Sequence, residues 1–288
     1  MTKFIYLASI IDGEGCIRID RRKTRIPYYY SLVISVGNTN PKLTEWLRIH
    51  FGGITYINIR SNPHKDLYLW QVRSKEAYLL LQKVYPFLFL KKPQAEVGIE
   101  FYEQCNWDHT TKRRPQALIE RQAYFWAIMH ELNKKGKEGK LDTNHKKINN
   151  LSEHKEKLFY LSGIIDGEGC LRVDKGKQNH YLPVLEIGNT DQKLITWLRD
   201  NFGGNVCIEK RNNKNHKDLY RWTLTGINLK PLLNEIEYYL ILKRPQAQLL
   251  ISFYKRCKWG SYKKRTESLL RCQEYYWKQI TEMNAKGR

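Results

Sequence analysis

Along the chain, stretches whose apolar residues recur every three or four positions alternate with stretches in which they recur every second position. Phe4, Leu7, Ala8 and Ile11 fall on one stripe of a predicted helix, and Gly13 and Gly15 end it. From Cys16 to Asp20 the period drops to two, with Ile17 and Ile19 on one side and Arg18 and Asp20 on the other. Leu32, Ile34 and Val36 repeat that period, so the segment predicts a half-buried hairpin. Thr39 is placed to cap a helix that reaches Phe51, where Gly52-Gly53 stop it. A second hairpin follows from about Thr55 to Arg60 and from Leu67 to Arg73, with Tyr68, Trp70 and Val72 on its apolar side. Ser74 can cap a helix through Phe87, Pro93 sits in the first turn of another that reaches about Trp107, and Pro115 to Asn133 predicts one more.

The whole pattern then occurs a second time. Leu7-Ala8-Ser9-Ile10-Ile11-Asp12-Gly13-Glu14-Gly15 returns as Leu161-Ser162-Gly163-Ile164-Ile165-Asp166-Gly167-Glu168-Gly169, an offset of 154 residues from Glu14 to Glu168. Trp46-Leu47-Arg48 and Phe51-Gly52-Gly53 return at Trp197-Leu198-Arg199 and Phe202-Gly203-Gly204, and His64-Lys65-Asp66-Leu67-Tyr68 returns at His216-Lys217-Asp218-Leu219-Tyr220. Leu90-Lys91-Lys92-Pro93-Gln94-Ala95 returns at Leu242-Lys243-Arg244-Pro245-Gln246-Ala247, an offset of 152. Offsets that drift by so little indicate duplication of one unit with small loop changes. The expected organisation is a first unit at residues 1–133, a linker at 134–156 that is rich in Lys, Asn and Gly and lacks periodicity, and a second unit at 157–288.

Charge narrows the partner. Against 29 Asp+Glu the chain carries 50 Lys+Arg, a formal net charge of +21, which favours a polyanion such as nucleic acid over a neutral ligand. Basic loops, Lys112-Arg113-Arg114 and Lys263-Lys264-Arg265, precede the last helix of each unit. The sequence has no apolar run of some 18 residues, so no membrane span is expected, and Met1-Thr2-Lys3-Phe4 leads into the first motif without a signal peptide. The six cysteines form no C-x-x-C pair, which argues for free thiols in a reducing, intracellular compartment and against zinc.

Small residues on the motif stripe, Ala8 and Ser9, then Ser162 and Gly163, would let two helix axes approach closely. Their C-terminal ends carry partial negative charge, so carboxylates there need an intervening cation to meet a phosphate. A hard divalent ion with oxygen ligands, Mg²⁺ above all, with Ca²⁺ or Mn²⁺ able to substitute, resolves that conflict.

With both motifs in view, the chain resembles the LAGLIDADG homing endonucleases of the two-motif, single-chain kind, from about residue 3 to residue 284. The resemblance implies an α/β (α+β) fold of two αββαββα-type units with antiparallel saddle-shaped sheets, the motif helices at their interface, and a monomer. It implies hydrolysis of one phosphodiester per strand with divalent metal. Glu14 and Glu168 correspond to the acidic metal ligand, with the carbonyls of Gly13 and Gly167 as co-ligands. Glu at that position, where Asp is commoner, lengthens the arm and keeps the charge. Lys91 and Lys243 correspond to the basic residue near the scissile phosphate, with Lys92 and Arg244 competing for the role. Asn38 and Asn189 correspond to a polar residue near the metal-bound water, one methylene shorter than the Gln frequent there. Asp12 and Asp166 are expected to organise the motif turn, and His64 and His216 to contact phosphate.

Two-stranded ribbons fit the major groove of B-DNA, where Arg pairs with guanine and Gln or Asn with adenine. With the apolar sides packed on helices, the first unit should expose Arg18, Asp20, Arg22, Tyr29, Ser31, Ser35, Asn58, Arg60, Gln71 and Arg73 to such a groove. The second should expose Arg172, Asp174, Glu186, Glu209, Arg211, Arg221 and Thr223. A compact chain of this length has a radius of gyration of about 19 Å, and a somewhat elongated shape would cover roughly 20 base pairs of duplex DNA. Two other classes stay open on the same fold: an intron RNA maturase or splicing cofactor, with intron RNA as partner, and a non-cleaving DNA-binding regulator.

Overall fold

The computed structural model describes residues 2–22, 28–61, 64–105, 114–134, 151–177, 180–211, 217–257 and 266–286. It divides into two compact units, with the main division between Ser152 and Glu153. His216, the linker residues 135–150 and both basic loops apart from Arg114 lie outside the described residues.

The first unit opens with helix α1, Thr2–Glu14, and passes with no intervening loop into strand β1, Gly15–Arg22. That abrupt joint depends on Gly15, because a Cβ there would stand 2.6 Å from Ile11 Cα and 2.8 Å from its carbonyl oxygen. Strand β2, Tyr29–Asn38, is followed by helix α2, Pro41–Phe51, and then by β3, Ile54–Asn58, and β4, Leu67–Arg73. These strands form one antiparallel sheet in the order β1-β2-β4-β3. Helices α3, Ser74–Val84, α4, Lys92–Cys105, and α5, Gln116–Leu132, complete the unit, and a 3-10 turn at Tyr85–Phe87 extends α3.

Register explains the alternation seen in the sequence. Ile17 lies opposite Ile34, Ile19 opposite Leu32, and Ile34 opposite Val72, so these residues share the face that meets the helices. They are 0–4% exposed, and Trp70 on the same face is fully buried, its indole N–H donating to the Gly52 carbonyl at 2.8 Å. Burying so large a side chain with its one donor satisfied secures the sheet to the end of α2. Asn40, rather than Thr39, is the N-cap of α2, its side chain accepting from the Lys42 N–H at 3.0 Å. Pro41 can then occupy the first helical position, where its missing N–H costs nothing. Ser74 is the first residue of α3 rather than its cap; its φ is 50° and its hydroxyl meets that of Ser31 at 3.0 Å.

The second unit repeats this plan. Helix α6, His154–Glu168, leads into β5, Gly169–Lys175, followed by β6, Tyr181–Asn189, α7, Gln192–Phe202, β7, Asn205–Glu209, and β8, Leu219–Thr225. The sheet order is β5-β6-β8-β7, again antiparallel, and α8, Leu229–Ile236, α9, Arg244–Arg256, and α10, Glu267–Lys286, follow. Helix α6 begins inside the segment expected to be linker, because Glu153 and Glu156 form a reciprocal capping box at its start. The last helices are held to the first strands in the same way in both units. Asn133 Nδ2 donates to the Ile17 carbonyl at 2.8 Å and Asn284 Nδ2 to that of Leu171 at 2.9 Å. Arg21 stacks over Trp126 at 4.0 Å, and Lys175 over Trp277 at 4.9 Å. Among the described residues no helix is long and apolar enough to cross a membrane.

Candidate functional site

The end of each motif helix is tied to a segment far away in sequence. Asp12 is 2% exposed, and its carboxylate accepts three consecutive backbone N–H groups, from Phe89 at 2.6 Å, Leu90 at 3.0 Å and Lys91 at 2.8 Å. Lys91 reaches back, its Nζ donating to the carbonyls of Ile11 at 2.6 Å and Asp12 at 2.9 Å. An ammonium there meets the partially negative end of α1. The second unit reproduces the arrangement: Asp166 accepts from Ile241 at 2.6 Å, Leu242 at 3.1 Å and Lys243 at 2.7 Å, and Lys243 Nζ donates to Ile165 O at 2.7 Å and Asp166 O at 3.0 Å. Asp12 and Asp166 therefore organise the distant Lys-bearing segment.

Glu14 and Glu168 are the last residues of their helices, half-buried and exposed respectively. Each is fixed from both sides, by the helix behind and the strand that starts at the next residue. No group of three or more His, Cys, Asp or Glu side chains that could hold a metal occurs among the described residues. Each unit instead offers one motif carboxylate, Glu14 or Glu168, next in sequence to a glycine carbonyl, that of Gly13 or Gly167. Such a sparse, all-oxygen donor set fits a Mg²⁺ ion, which keeps several waters and commonly takes its other ligands from phosphate.

Asn38 and Asn189 form turns. Each side-chain oxygen accepts the backbone N–H two residues on, from Asn40 and from Asp191, both at 2.8 Å, just ahead of the N-caps of α2 and α7. His64 is exposed, and its repeat partner His216 lies outside the described residues. The neighbouring Asp66 and Asp218 close the second hairpin of each unit by accepting the backbone N–H of Arg60 at 3.1 Å and Arg211 at 3.3 Å.

On the sheet faces turned away from the helices, register gathers the polar residues read from the sequence. Cys16 lies opposite Ser35, Asp20 opposite Ser31 and Ser35 opposite Gln71, which puts Arg18, Arg22, Tyr29 and Arg73 on the same side; Asn58 follows in β3. Arg22, Tyr29, Asn58 and Arg60 are exposed. Ser31, Ser35 and Gln71, expected to be exposed, are 6%, 7% and 2% exposed. Their neighbours cover them: Arg18 Nη1 donates to Ser35 Oγ, Arg73 Nε to Gln71 Oε1 at 3.0 Å, and Ser31 meets Ser74. Asp20 sits between the two arginines, 2.7 Å from Arg18 and 3.0 Å from Arg73.

The second unit arranges its charges differently. Glu186 occupies the place of Ser35 and bridges two arginines, Arg172 at 2.9 Å and Arg221 at 2.7 Å, while Asp174 holds Arg172 at 2.8 Å and Glu209 holds Arg221 at 2.7 Å. Burial would raise the Glu186 carboxyl, but hydrogen bonding and charge from Arg172, then Arg221, outweigh it and hold the group below its ordinary value. Thr223 lies beside Glu186 in β8, opposite it in register, and Arg211 is exposed beyond β7. The five-member chain Asp174-Arg172-Glu186-Arg221-Glu209 was invisible in the sequence, because three of its four links, Arg172–Glu186, Glu186–Arg221 and Arg221–Glu209, are cross-strand pairs that only register creates.

A family model described as a LAGLIDADG-like domain matches residues 155–237. No curated protein sequence matches the chain. Among solved structures, the chain is similar to the LAGLIDADG homing endonuclease I-GzeII in complex with its DNA target, with a TM-score of 0.70, 17% identity and 97% of each chain covered. It is similar to the LAGLIDADG meganuclease I-AabMI bound to uncleaved DNA, at 0.66 and 20% identity over 97% of this chain and 98% of that one. It is also similar to the meganuclease I-SmaMI bound to uncleaveable DNA, at 0.68 and 19% identity over 99% and 97%. With a LAGLIDADG-like domain at residues 155–237 and this likeness across both units, the chain has the fold of the LAGLIDADG homing endonucleases.

Proposed function

We propose that the chain is a site-specific DNA endonuclease of the homing type, which binds a pseudo-palindromic duplex of roughly 20 base pairs and hydrolyses one phosphodiester on each strand. The observation that carries this reading is the duplicated motif end: both acidic positions are filled, and both lysines make the same two carbonyl contacts. A divalent ion bound there would supply Lewis-acid activation of water and stabilisation of the leaving oxygen. Glu14 and Glu168, with the Gly13 and Gly167 carbonyls, would hold it, and Lys91 and Lys243 would place positive charge beside the phosphate. The open sheet faces carry the polar side chains that read base edges. The DNA bound by I-GzeII, I-AabMI and I-SmaMI, and the calcium ions present with DNA in a further I-SmaMI structure, support this partner and this kind of ion.

Selection of cleaved products from randomised duplex DNA with Mg²⁺ tests the reading. The expected result is one preferred site cut on both strands. Glu14→Gln should then leave one strand intact and Glu168→Gln the other, with binding in Ca²⁺ retained. Undiminished double-strand cutting by the doubly substituted protein would refute the assignment, and salt-sensitive binding to structured RNA without DNA cleavage would replace it with the maturase reading.

A further inference from the structure

We propose that Asp12 and Asp166 are positioning residues that set Lys91 and Lys243 for the cleavage step, each for one strand. The inference rests on the nuclease reading above, since the lysines are given a role only there. Residues 89–91 follow a 3-10 turn and have no strand or helix of their own to absorb their N–H groups. One buried carboxylate takes all three. Successive N–H groups turned to one anion make a compact cradle, and the geometry of the cradle fixes the backbone from which the Lys91 side chain departs.

The same residue holds the other end. Asp12 offers its carboxylate to the Lys91 backbone and its carbonyl to the Lys91 ammonium, so both termini of that flexible side chain refer to a single residue. Glu14 stands two residues further along the same helix. The cation and the acid are thus indexed to one rigid element, although 77 residues separate Lys91 from Glu14 in the chain (14 to 91). The second unit repeats the clamp although Ile241 stands there in place of Phe89. A packing accident would not reproduce five hydrogen bonds at equivalent atoms.

A displacement of about 1 Å in a positioned group can cost on the order of 100-fold in rate. Asp12→Asn replaces one acceptor oxygen with a donor that faces an N–H, and should shift the segment without emptying the core. The test follows strand-resolved nicking, duplex binding in Ca²⁺, and amide hydrogen exchange of the intact protein. Asp12→Asn should slow one strand by roughly 10–100-fold so that a nicked intermediate accumulates, with duplex affinity little changed. Exchange at Leu90 and Lys91 should quicken while Leu242 and Lys243 stay protected, and Asp166→Asn should reverse both patterns. Lys91→Met removes the ammonium and leaves the Asp12 acceptors in place; it should slow the same strand and keep exchange protection. Adding Asp12→Asn to Lys91→Met should then slow that strand no further, since the aspartate acts through the lysine.

Equal slowing of both strands, additive effects in the double variant, or lost amide protection with unchanged strand rates would each overturn the proposal. Should Asp12→Asn fail to fold, an unaltered strand preference in Lys91→Met overturns it as well. Failure of the unaltered protein to cut any duplex would instead refute the nuclease reading, and the exchange arm would still report on the clamp.

Discussion

Glu186 shows how much one residue changes between the copies. Its counterpart Ser35 takes one hydrogen bond from Arg18, whereas Glu186 anchors two guanidinium groups and joins three strands' worth of charge. Its carboxyl is held below the ordinary value of 4.5, so the folded state prefers the ionised form more strongly than the unfolded chain does. The stabilisation is then complete above the unfolded value and disappears as pH falls through the depressed folded value. Thermal unfolding followed from neutral pH into this acid range should show Glu186→Gln losing less stability on acidification than the parent. Parallel curves would mean that the carboxylate contributes nothing through its charge. If this sheet face reads DNA as proposed, removing the carboxylate charge that holds Arg172 and Arg221 should also alter base preference in one half-site of a selected target and leave the other unchanged.

At the scale of elements, the joint between α1 and β1 decides where the motif carboxylate stands. Gly15 and Gly169 are needed because the strand leaves so close to the helix that a Cβ would fall 2.6 Å from Ile11 Cα or 2.8 Å from Ile165 Cα. The obstructing atoms are backbone, so no rotamer change relieves the clash. Gly15→Ala should cost about 1–3 kcal/mol, measured by denaturant unfolding, with Gly169→Ala similar. An unchanged midpoint would show that the strand can move away and that the joint is not the constraint. The glycines, the alternation of Ile17 with Arg18 and the stop at Gly52-Gly53 were all legible in sequence because they act within a few residues. The N-cap was displaced by one position, from Thr39 to Asn40, because Asn38 spends its side chain on the preceding turn. Burial of Gln71 was missed because it depends on Arg73 bonding to it on the same strand, a contact that alternation alone does not reveal.

For the molecule as a whole, the duplication supplied most of what could be read in advance: two units, two sheets, two motif ends. What escaped was whatever joins residues far apart in one unit, such as Asp12 with the backbone of Phe89 to Lys91, since no local pattern marks an acceptor for a distant irregular segment. The net charge of +21 belongs to this scale as well. If ten phosphates are neutralised on binding, log affinity should fall against log salt with a slope of about −9, as each contact contributes roughly −0.9. A slope near zero in a titration of duplex DNA would show that the excess charge serves some other purpose.

If this sheet face reads DNA as proposed, the ion-pair chain across β5, β6, β8 and β7 couples any change of target across five positions. Asp174, Arg172, Glu186, Arg221 and Glu209 are each the neighbour of another member, so exchanging one strands its partners with unmatched charge. Libraries that vary the five together, under one constraint of conserved charge balance, should yield altered specificities far more often than the same diversity sampled site by site. In the first half the shorter Arg18-Asp20-Arg73 group imposes a looser coupling, and drift of the recognised sequence should begin there.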